Sequence, residues 1–165
     1  MAKRSAGVLL FDVQHRQLRV LLVHPGGPFW TRKDDGVWSL PKGEHAEDEP
    51  PLRAALREFH EETGLRPPES ELLELGRVRQ KGGKEVTAWA AEGQFDVALL
   101  SSNHFEMSWP PRSGETRSFP EVDRAEWCDT ATARRKLIPA QVVFVERLLG
   151  LLRDADRVDP PADEG

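Results

Sequence analysis

Three glutamates, Glu58, Glu61 and Glu62, have the spacing of ligands for a divalent metal ion. On a helix, positions i, i+3 and i+4 share one face, so the three carboxylates converge. Like charges placed so close repel one another, and a hard cation would turn that repulsion into attraction. An all-oxygen ligand set suits Mg²⁺, with Mn²⁺ as the alternative, and proteins commonly hold Mg²⁺ together with substrate phosphates. The cluster therefore predicts a phosphate ester or anhydride as the substrate.

A fixed pattern of residues surrounds these glutamates. Gly43, Glu49, Arg57 and Gly64 complete the pattern Gx5Ex7REUxEExGU, in which U is an apolar residue. The pattern resembles the signature of the Nudix hydrolases at every fixed position. This resemblance implies an enzyme that hydrolyses a phosphoanhydride bond in a nucleoside diphosphate-linked substrate, by attack of water on phosphorus.

The resemblance also implies a role for each residue of the motif. The three glutamates would bind Mg²⁺, and the main-chain carbonyl of Gly43 would complete the ligand set. Arg57 would orient or partly neutralise one of the carboxylates, as the outer partners of other metal sites do. Glu49 is expected to be structural, as a partner of Arg57.

The resemblance implies that one of the glutamates Glu58, Glu61 and Glu62, or a more distant one, acts as the general base, which in this superfamily often lies outside the motif. Glu121 is the first candidate here because it precedes the predicted last strand, and Glu106 and Glu115 are weaker candidates. An exposed structural glutamate is an equally good interpretation of each of them.

The residues that flank the motif carry the information on substrate. Residues 38–43, WSLPKG, resemble the same segment of diadenosine polyphosphate and diphosphoinositol polyphosphate hydrolases. Lys42 would place a cation beside a phosphate chain and favour longer polyphosphates, although a solvated loop lysine fits the sequence as well. Arg4 and Arg32 would add positive charge at the entrance to the same predicted phosphate site.

Aromatic side chains are expected to hold the nucleobase, since stacking is worth about 1–3 kcal/mol per base. Trp38 and Trp127 lie in or beside predicted strands and are assigned to the core. Trp30 is the preferred stacking residue, because it lies in a loop rich in glycine and proline.

Composition narrows the class of protein. The chain has 165 residues, which is enough for one domain, and its net charge of −5 argues against general nucleic-acid binding. Cys128 is the single cysteine, and we find neither a signal peptide nor a long apolar run. We therefore expect a cytoplasmic protein that does not bind membranes and acts on a small nucleotide. The sequence makes no prediction about its oligomeric state.

The pattern of apolar residues predicts an α/β (α+β) fold, with strands before and after one central helix and a helical region at the end. The Nudix resemblance implies an α/β/α sandwich with a mixed β-sheet. We expect one domain over residues 4–153 and a disordered acidic tail over residues 154–165. The predicted strands cover residues 6–11, 18–24, 37–40, 72–80, 85–94 with an extension over 95–100, 105–109 and 124–128, and the helices after the motif cover 131–137 and 139–153.

Three functions are compatible with the sequence. The first is a Mg²⁺-dependent pyrophosphohydrolase, with dinucleoside polyphosphates ahead of nucleoside triphosphates as substrates. The second is a catalytically silent nucleotide-binding module, which would predict a broken motif, whereas all three glutamates are intact. The third is an RNA-end pyrophosphohydrolase, which needs a basic groove that the acidic net charge does not favour.

Overall fold

The computed structural model describes residues 3–161. The strands and helices have the following bounds: β1 Arg4–Gln14, β2 Gln17–Pro25, β3 Lys42–Glu44, α1 Pro51–Thr63, β4 Leu73–Arg79, β5 Glu85–Glu92, β6 His104–Ser108, β7 Thr116–Pro120, β8 Val122–Asp129, α2 Thr130–Lys136 and α3 Val142–Asp154. Two 3₁₀ helices, Val97–Leu99 and Pro139–Gln141, complete the regular structure of the described chain. None of the helices within residues 3–161 has the length and apolar character that crossing a membrane requires.

The main sheet is mixed. Its strand order is β4-β5-β1-β2-β8, and β3 pairs with the first half of β1. The pairing of β1 with β5 is parallel, whereas β1 pairs with β2 and β3 in antiparallel fashion. Strands β6 and β7 form a separate two-stranded hairpin. The mixed sheet confirms the predicted fold class.

Helices cover both faces of this sheet, because β1 is apolar on both of its sides. Val8 and Leu10 point to one face, where they pack with Phe59 of α1. Leu9 and Phe11 point to the other face, where they pack with α3. The arrangement is the predicted α/β/α sandwich, with a hydrophobic core on each side of the sheet.

Helix α1 starts and ends where its sequence directs. Pro51 occupies the first helical turn, where the missing N–H is not needed. Gly64 ends the helix in the left-handed conformation, with φ of 84°, and its N–H donates to the carbonyl of His60. Both signals were visible in the sequence, and the helix lies where the motif predicted it.

Three local predictions were wrong. Residues 37–40 form isolated bridges at Trp38 and Ser39 and no continuous strand, while the segment after them, which was expected to be a loop, forms β3. Residues 95–100 do not extend β5, because the side chain of Asp96 caps the 3₁₀ helix Val97–Leu99. Strand β7 was missed, since its polar and exposed residues show no apolar alternation.

The beginning of the acidic tail packs against the β1–β2 turn, where the sequence predicted disorder. Arg16 binds the side chains of Asp156 and Asp159 at 2.9 and 2.7 Å. Val158 is buried with the core on the α3 side. One buried apolar residue and two ion pairs thus hold this segment. Residues 162–165 lie outside the described part of the chain.

We predict that Val158→Ala lowers the free energy of unfolding by about 2 kcal/mol, because it removes buried apolar volume from the core. Urea unfolding measures the change. Val143→Ala is the matched control, since Val143 is exposed on α3, and it should change stability little. Equal effects of the two substitutions would contradict the packing of the tail.

Candidate active site

Gly43 brings the first motif glutamate against the backbone of β3. Successive residues of a strand face opposite sides, and Gly43 faces α1. A Cβ atom built on Gly43 would overlap the carboxyl group of Glu58. Glycine at this position therefore lets Glu58 lie directly on the main chain. Burial, reinforced by the nearby charge of Glu61, raises the pKa of Glu58.

Glu62 lies at the free edge of the same strand. Its Oε2 accepts the main-chain N–H of Lys42 at 3.1 Å. Burial raises the pKa of the Glu62 carboxyl group. Burial and the neighbouring Lys84 lower the pKa of Lys42. The main chain of Lys42 thus holds the half-buried carboxyl group of Glu62 at the edge of β3.

Arg57 is the counter-charge of this group of carboxylates. Its Nε and Nη2 donate to both oxygens of Glu49, at 3.0 and 2.9 Å. Its Nη1 donates to Glu58 at 2.8 Å and to Glu61 at 3.2 Å. The hydrogen bonds to Glu49, followed by those to the motif glutamates, raise the pKa of Arg57. The structure therefore shows the predicted pairing of Glu49 with Arg57.

Glu121 is tied to the C-terminal end of α1 by main-chain hydrogen bonds. Its N–H donates to the carbonyl of Asn103 at 2.8 Å, and the N–H of Asn103 donates to the carbonyl of Glu61 at 2.9 Å. Its own carbonyl accepts the N–H of Gly26. Partial burial and the charge of Glu61 raise the pKa of Glu121. A fourth carboxylate therefore lies within electrostatic reach of the motif.

A cavity of about 240 Å³ adjoins these carboxylates. Four of the predicted site residues line it together: Trp30, Lys42, Glu62 and Glu121. The rest of the wall comes from β2, β8, the loop before β3 and the segment after α2: Val23, Pro25, Val122, Gly36, Val37, Ser39 and Ile138. An aromatic residue, a lysine and two glutamates therefore line one space.

Other predicted residues lie apart from this cavity. Arg4 lines a separate groove with Glu49 and Trp89. Arg32 is exposed in the loop that carries Trp30, but it is not part of the cavity wall. Neither Glu106 nor Glu115, both exposed on the β6–β7 hairpin, lines the cavity.

The chemistry of the donors fits a hard cation, although the carboxylates are not gathered around one point. Within residues 3–161, no three Asp, Glu, His or Cys side chains are close enough together to hold a metal ion. Arg57 holds Glu58 and Glu61, while the amide of Lys42 holds Glu62. For all three carboxylates to bind one cation, Glu58 and Glu61 would have to give up their hydrogen bonds to Arg57.

Two residues near the site were not predicted from the sequence. Lys84 of the β4–β5 turn lies beside Lys42, and its Nζ is 3.6 Å from Glu44. Asn103 links α1 to Glu121 through main-chain atoms alone. Neither residue carries a sequence signal, because the contacts depend on which strands become neighbours.

Comparison with known proteins identifies the family. The model of the NUDIX domain matches residues 1–148. The chain is 32% identical over 124 residues to the asymmetrical bis(5'-nucleosyl)-tetraphosphatase of Rattus norvegicus, covering 66% of this chain and 79% of the rat protein. It is 33% identical over 134 residues to an octanoyltransferase of Myxococcus xanthus, covering 81% of this chain but only 33% of that protein. An RNA pyrophosphohydrolase of Francisella tularensis is 44% identical over 55 residues, covering 33% of this chain and 36% of that protein.

Solved structures agree on the fold. The NUDIX domain of Shewanella oneidensis NrtR, solved with ADP ribose, has a TM-score of 0.62 at 20% identity and covers 92% of this chain and 89% of that one. The Ap4A hydrolase of C. elegans has a TM-score of 0.61 at 19% identity and covers 93% of this chain and 99% of that one. The family model, the intact motif and the shared fold lead to one conclusion: this chain belongs to the NUDIX domain family.

Proposed function

We propose that this protein is a Mg²⁺-dependent pyrophosphohydrolase that cleaves a phosphoanhydride bond of a nucleoside diphosphate-linked substrate. A dinucleoside polyphosphate is the first candidate substrate and a nucleoside triphosphate the second. The observation that carries the proposal is the cavity in which Trp30, Lys42, Glu62 and Glu121 face one another next to α1.

The motif glutamates are the proposed metal ligands. Glu58, Glu61 and Glu62, with the carbonyl of Gly43, would hold Mg²⁺, and Mn²⁺ would suit the same oxygens. A bound Mg²⁺ supplies charge neutralisation on the bridging phosphates and a more acidic water molecule. Arg57 pairs with Glu58 and Glu61 in the metal-free protein, and its bonds to Glu49 would keep the guanidinium beside them when the ion takes its place.

The protein's own groups would bind the substrate and take up the proton. Glu121 is the proposed general base, since its carboxylate borders the cavity and its raised pKa favours proton uptake. Trp30 is proposed to stack on the nucleobase and Lys42 to neutralise a phosphate. Arg32 and Arg4, which lie outside the cavity wall, would contact only the more distant parts of a long polyphosphate.

The relatives support the order of substrates. The rat relative, of which the alignment covers 79%, is a bis(5'-nucleosyl)-tetraphosphatase. The Francisella RNA pyrophosphohydrolase shares 55 aligned residues, so an RNA 5' end is the alternative substrate. A silent binding module is the other alternative, and the intact glutamates argue against it. We also propose a cytoplasmic location, which the free thiol of Cys128 supports.

We predict that the protein cleaves diadenosine tetraphosphate in the presence of Mg²⁺ and that EDTA abolishes the reaction. Glu61→Gln and Glu62→Gln should each reduce kcat by about 100-fold or more, because each removes a charged metal ligand. Chromatography of the products from a panel of dinucleoside polyphosphates, nucleoside triphosphates and 5'-triphosphate RNA measures the activity.

Glu71→Gln is the matched control for these variants. Glu71 is exposed in the segment before β4, so its substitution should leave kcat unchanged. Cleavage of RNA alone would replace the proposed substrate. No cleavage of any compound in the panel would contradict the proposed reaction.

The second prediction concerns the base. Glu121→Gln should lower kcat by about 100-fold or more and leave KM nearly unchanged, because the amide cannot accept the proton. Glu106→Gln and Glu115→Gln should keep the wild-type kcat in the same steady-state assay. A larger loss in either of those two variants would move the base to the β6–β7 hairpin.

The third prediction concerns the contact between β3 and α1. Gly43→Ala should lower activity about 10-fold or more and weaken Mg²⁺ binding, because the new methyl group displaces the Glu58 carboxylate. Calorimetric titration with Mg²⁺ and the activity assay measure both effects. Gly150→Ala is the matched control, since a Cβ at that position meets no atom within 4 Å. Unchanged binding in Gly43→Ala would show that Glu58 does not need this contact.

A further inference from the structure

His24 is an unusual histidine, because it is fully buried at the end of β2 and close to the proposed site. Its Nδ1 lies 2.7 Å from Oδ1 of Asp123, and its Nε2 lies 2.6 Å from the main-chain carbonyl of Lys33. The ring edge contacts Trp38, with a distance of 5.1 Å between ring centroids. Both ring nitrogens therefore have close partners within the protein.

The partners fix how the ring is hydrogen-bonded. A carbonyl oxygen can only accept a hydrogen bond, so the contact with Lys33 requires a proton on Nε2. The contact between Nδ1 and Asp123 requires one further proton, on either the ring or the carboxyl group. In both cases His24 bridges the Lys33 carbonyl and the Asp123 side chain through two hydrogen bonds.

A bulge in the sheet creates this pair. His24 pairs with Arg124 and Pro25 pairs with Val122, so Asp123 is an extra residue in β8 without a partner on β2. A bulge of this kind redirects a side chain. Here the redirected carboxylate meets the end of β2 instead of following the alternation of the strand.

Other charged groups surround the pair. Arg124 lies 3.7 Å from Asp123 on β8, and its guanidinium also lies over the Trp38 ring. From the loop, Asp34 accepts the Trp38 indole N–H, and from α2 the Lys136 ammonium lies over the same ring. Arg124 also approaches Asp123. Its distance of 3.7 Å from Oδ1 is longer than the 2.7 Å between the same atom and Nδ1 of His24.

The His24–Asp123 pair connects the loop that carries Trp30 to the strand that follows Glu121. The N–H of Lys33 donates to the carbonyl of Trp30 at 2.9 Å, and the Lys33 carbonyl accepts from His24. At the other end, the N–H of Gly26 donates to the carbonyl of Glu121. The loop of residues 26–36 is thus fastened on both sides of Trp30, and its buried side-chain anchor is His24.

We propose that His24 and Asp123 are positioning residues, which hold the loop of residues 26–36 so that Trp30 stays on the wall of the cavity beside Glu121. Neither side chain lines the cavity, so they act through Trp30 and contribute nothing directly to bond cleavage. The inference rests on the proposed function only in taking Trp30 as part of the nucleotide site.

Nuclear magnetic resonance of the ¹⁵N-labelled wild-type protein tests the hydrogen bonds of the ring without any variant. One histidine should show a proton on Nε2 that exchanges slowly with solvent, and a contact to the indole of Trp38. A ring whose Nε2 carries no proton, or a proton that exchanges freely, would overturn the bond to Lys33. This result does not depend on which substrate the enzyme cleaves, so it remains informative if the proposed function fails.

Kinetics of Asp123→Asn and His24→Gln test the positioning role. With diadenosine tetraphosphate and Mg²⁺, each variant should raise KM about 10-fold and keep kcat within about 2-fold, as expected when one charged hydrogen bond is lost. The double variant should be no worse than the more damaging single variant, because both remove the same contact. Asp154→Asn and His104→Gln, at exposed positions, are the matched controls.

Hydrogen exchange separates a loosened loop from general destabilisation. In Asp123→Asn, amides of residues 26–36 should exchange about 10-fold faster than in the wild type, while those of β1 and α3 stay unchanged. Unchanged exchange in the loop, or a fall of kcat at constant KM, would overturn the positioning role. If the enzyme does not cleave the test substrate, the exchange measurement still decides the question.

Discussion

Burial of neighbouring carboxylates, with the repulsion among them, is the constraint on which the site depends. Glu58 and Glu121 have raised pKa values because burial adds to the negative charge of Glu61 nearby. Burial raises the pKa of Glu62 in the same way. Arg57 is the cation that binds two of these groups directly, and it is itself oriented by Glu49. Carboxylates with pKa values raised in this way would be stabilised by a divalent cation, which is the basis for the proposed metal site.

The fold places this cluster by dividing the pairing of one strand. The first half of β1 pairs with β3 and the second half with β2, so β3 carries Gly43 to α1 and leaves an edge open. The N–H of Lys42 at that edge binds Glu62, and the cavity opens beside it. Hydrophobic packing on both faces keeps β1 fixed, which gives the glutamates of α1 a rigid support.

The sequence predicted the parts of this site that depend on local spacing. The i, i+3, i+4 glutamates share one helix face through local spacing alone, and the Glu49–Arg57 pair was expected from the motif. Trp30 and Glu121 were selected from the sequence as single residues. That they line the same cavity depends on tertiary contacts, which the sequence does not reveal. The pair of His24 and Asp123 could not be predicted, because a bulge in β8 creates it. Arg4 lines another groove, because its place on β1 directs it there.

The central claim is that the carboxylates of α1 form a site for a divalent cation, and titration with Mn²⁺ tests it most directly. Electron paramagnetic resonance reports the concentration of free Mn²⁺ as the ion is added to the protein. The account predicts saturable binding to the wild type that is displaced by Mg²⁺ and lost in Glu62→Gln. Absence of saturable binding, or equal binding by wild type and variant, would contradict the account.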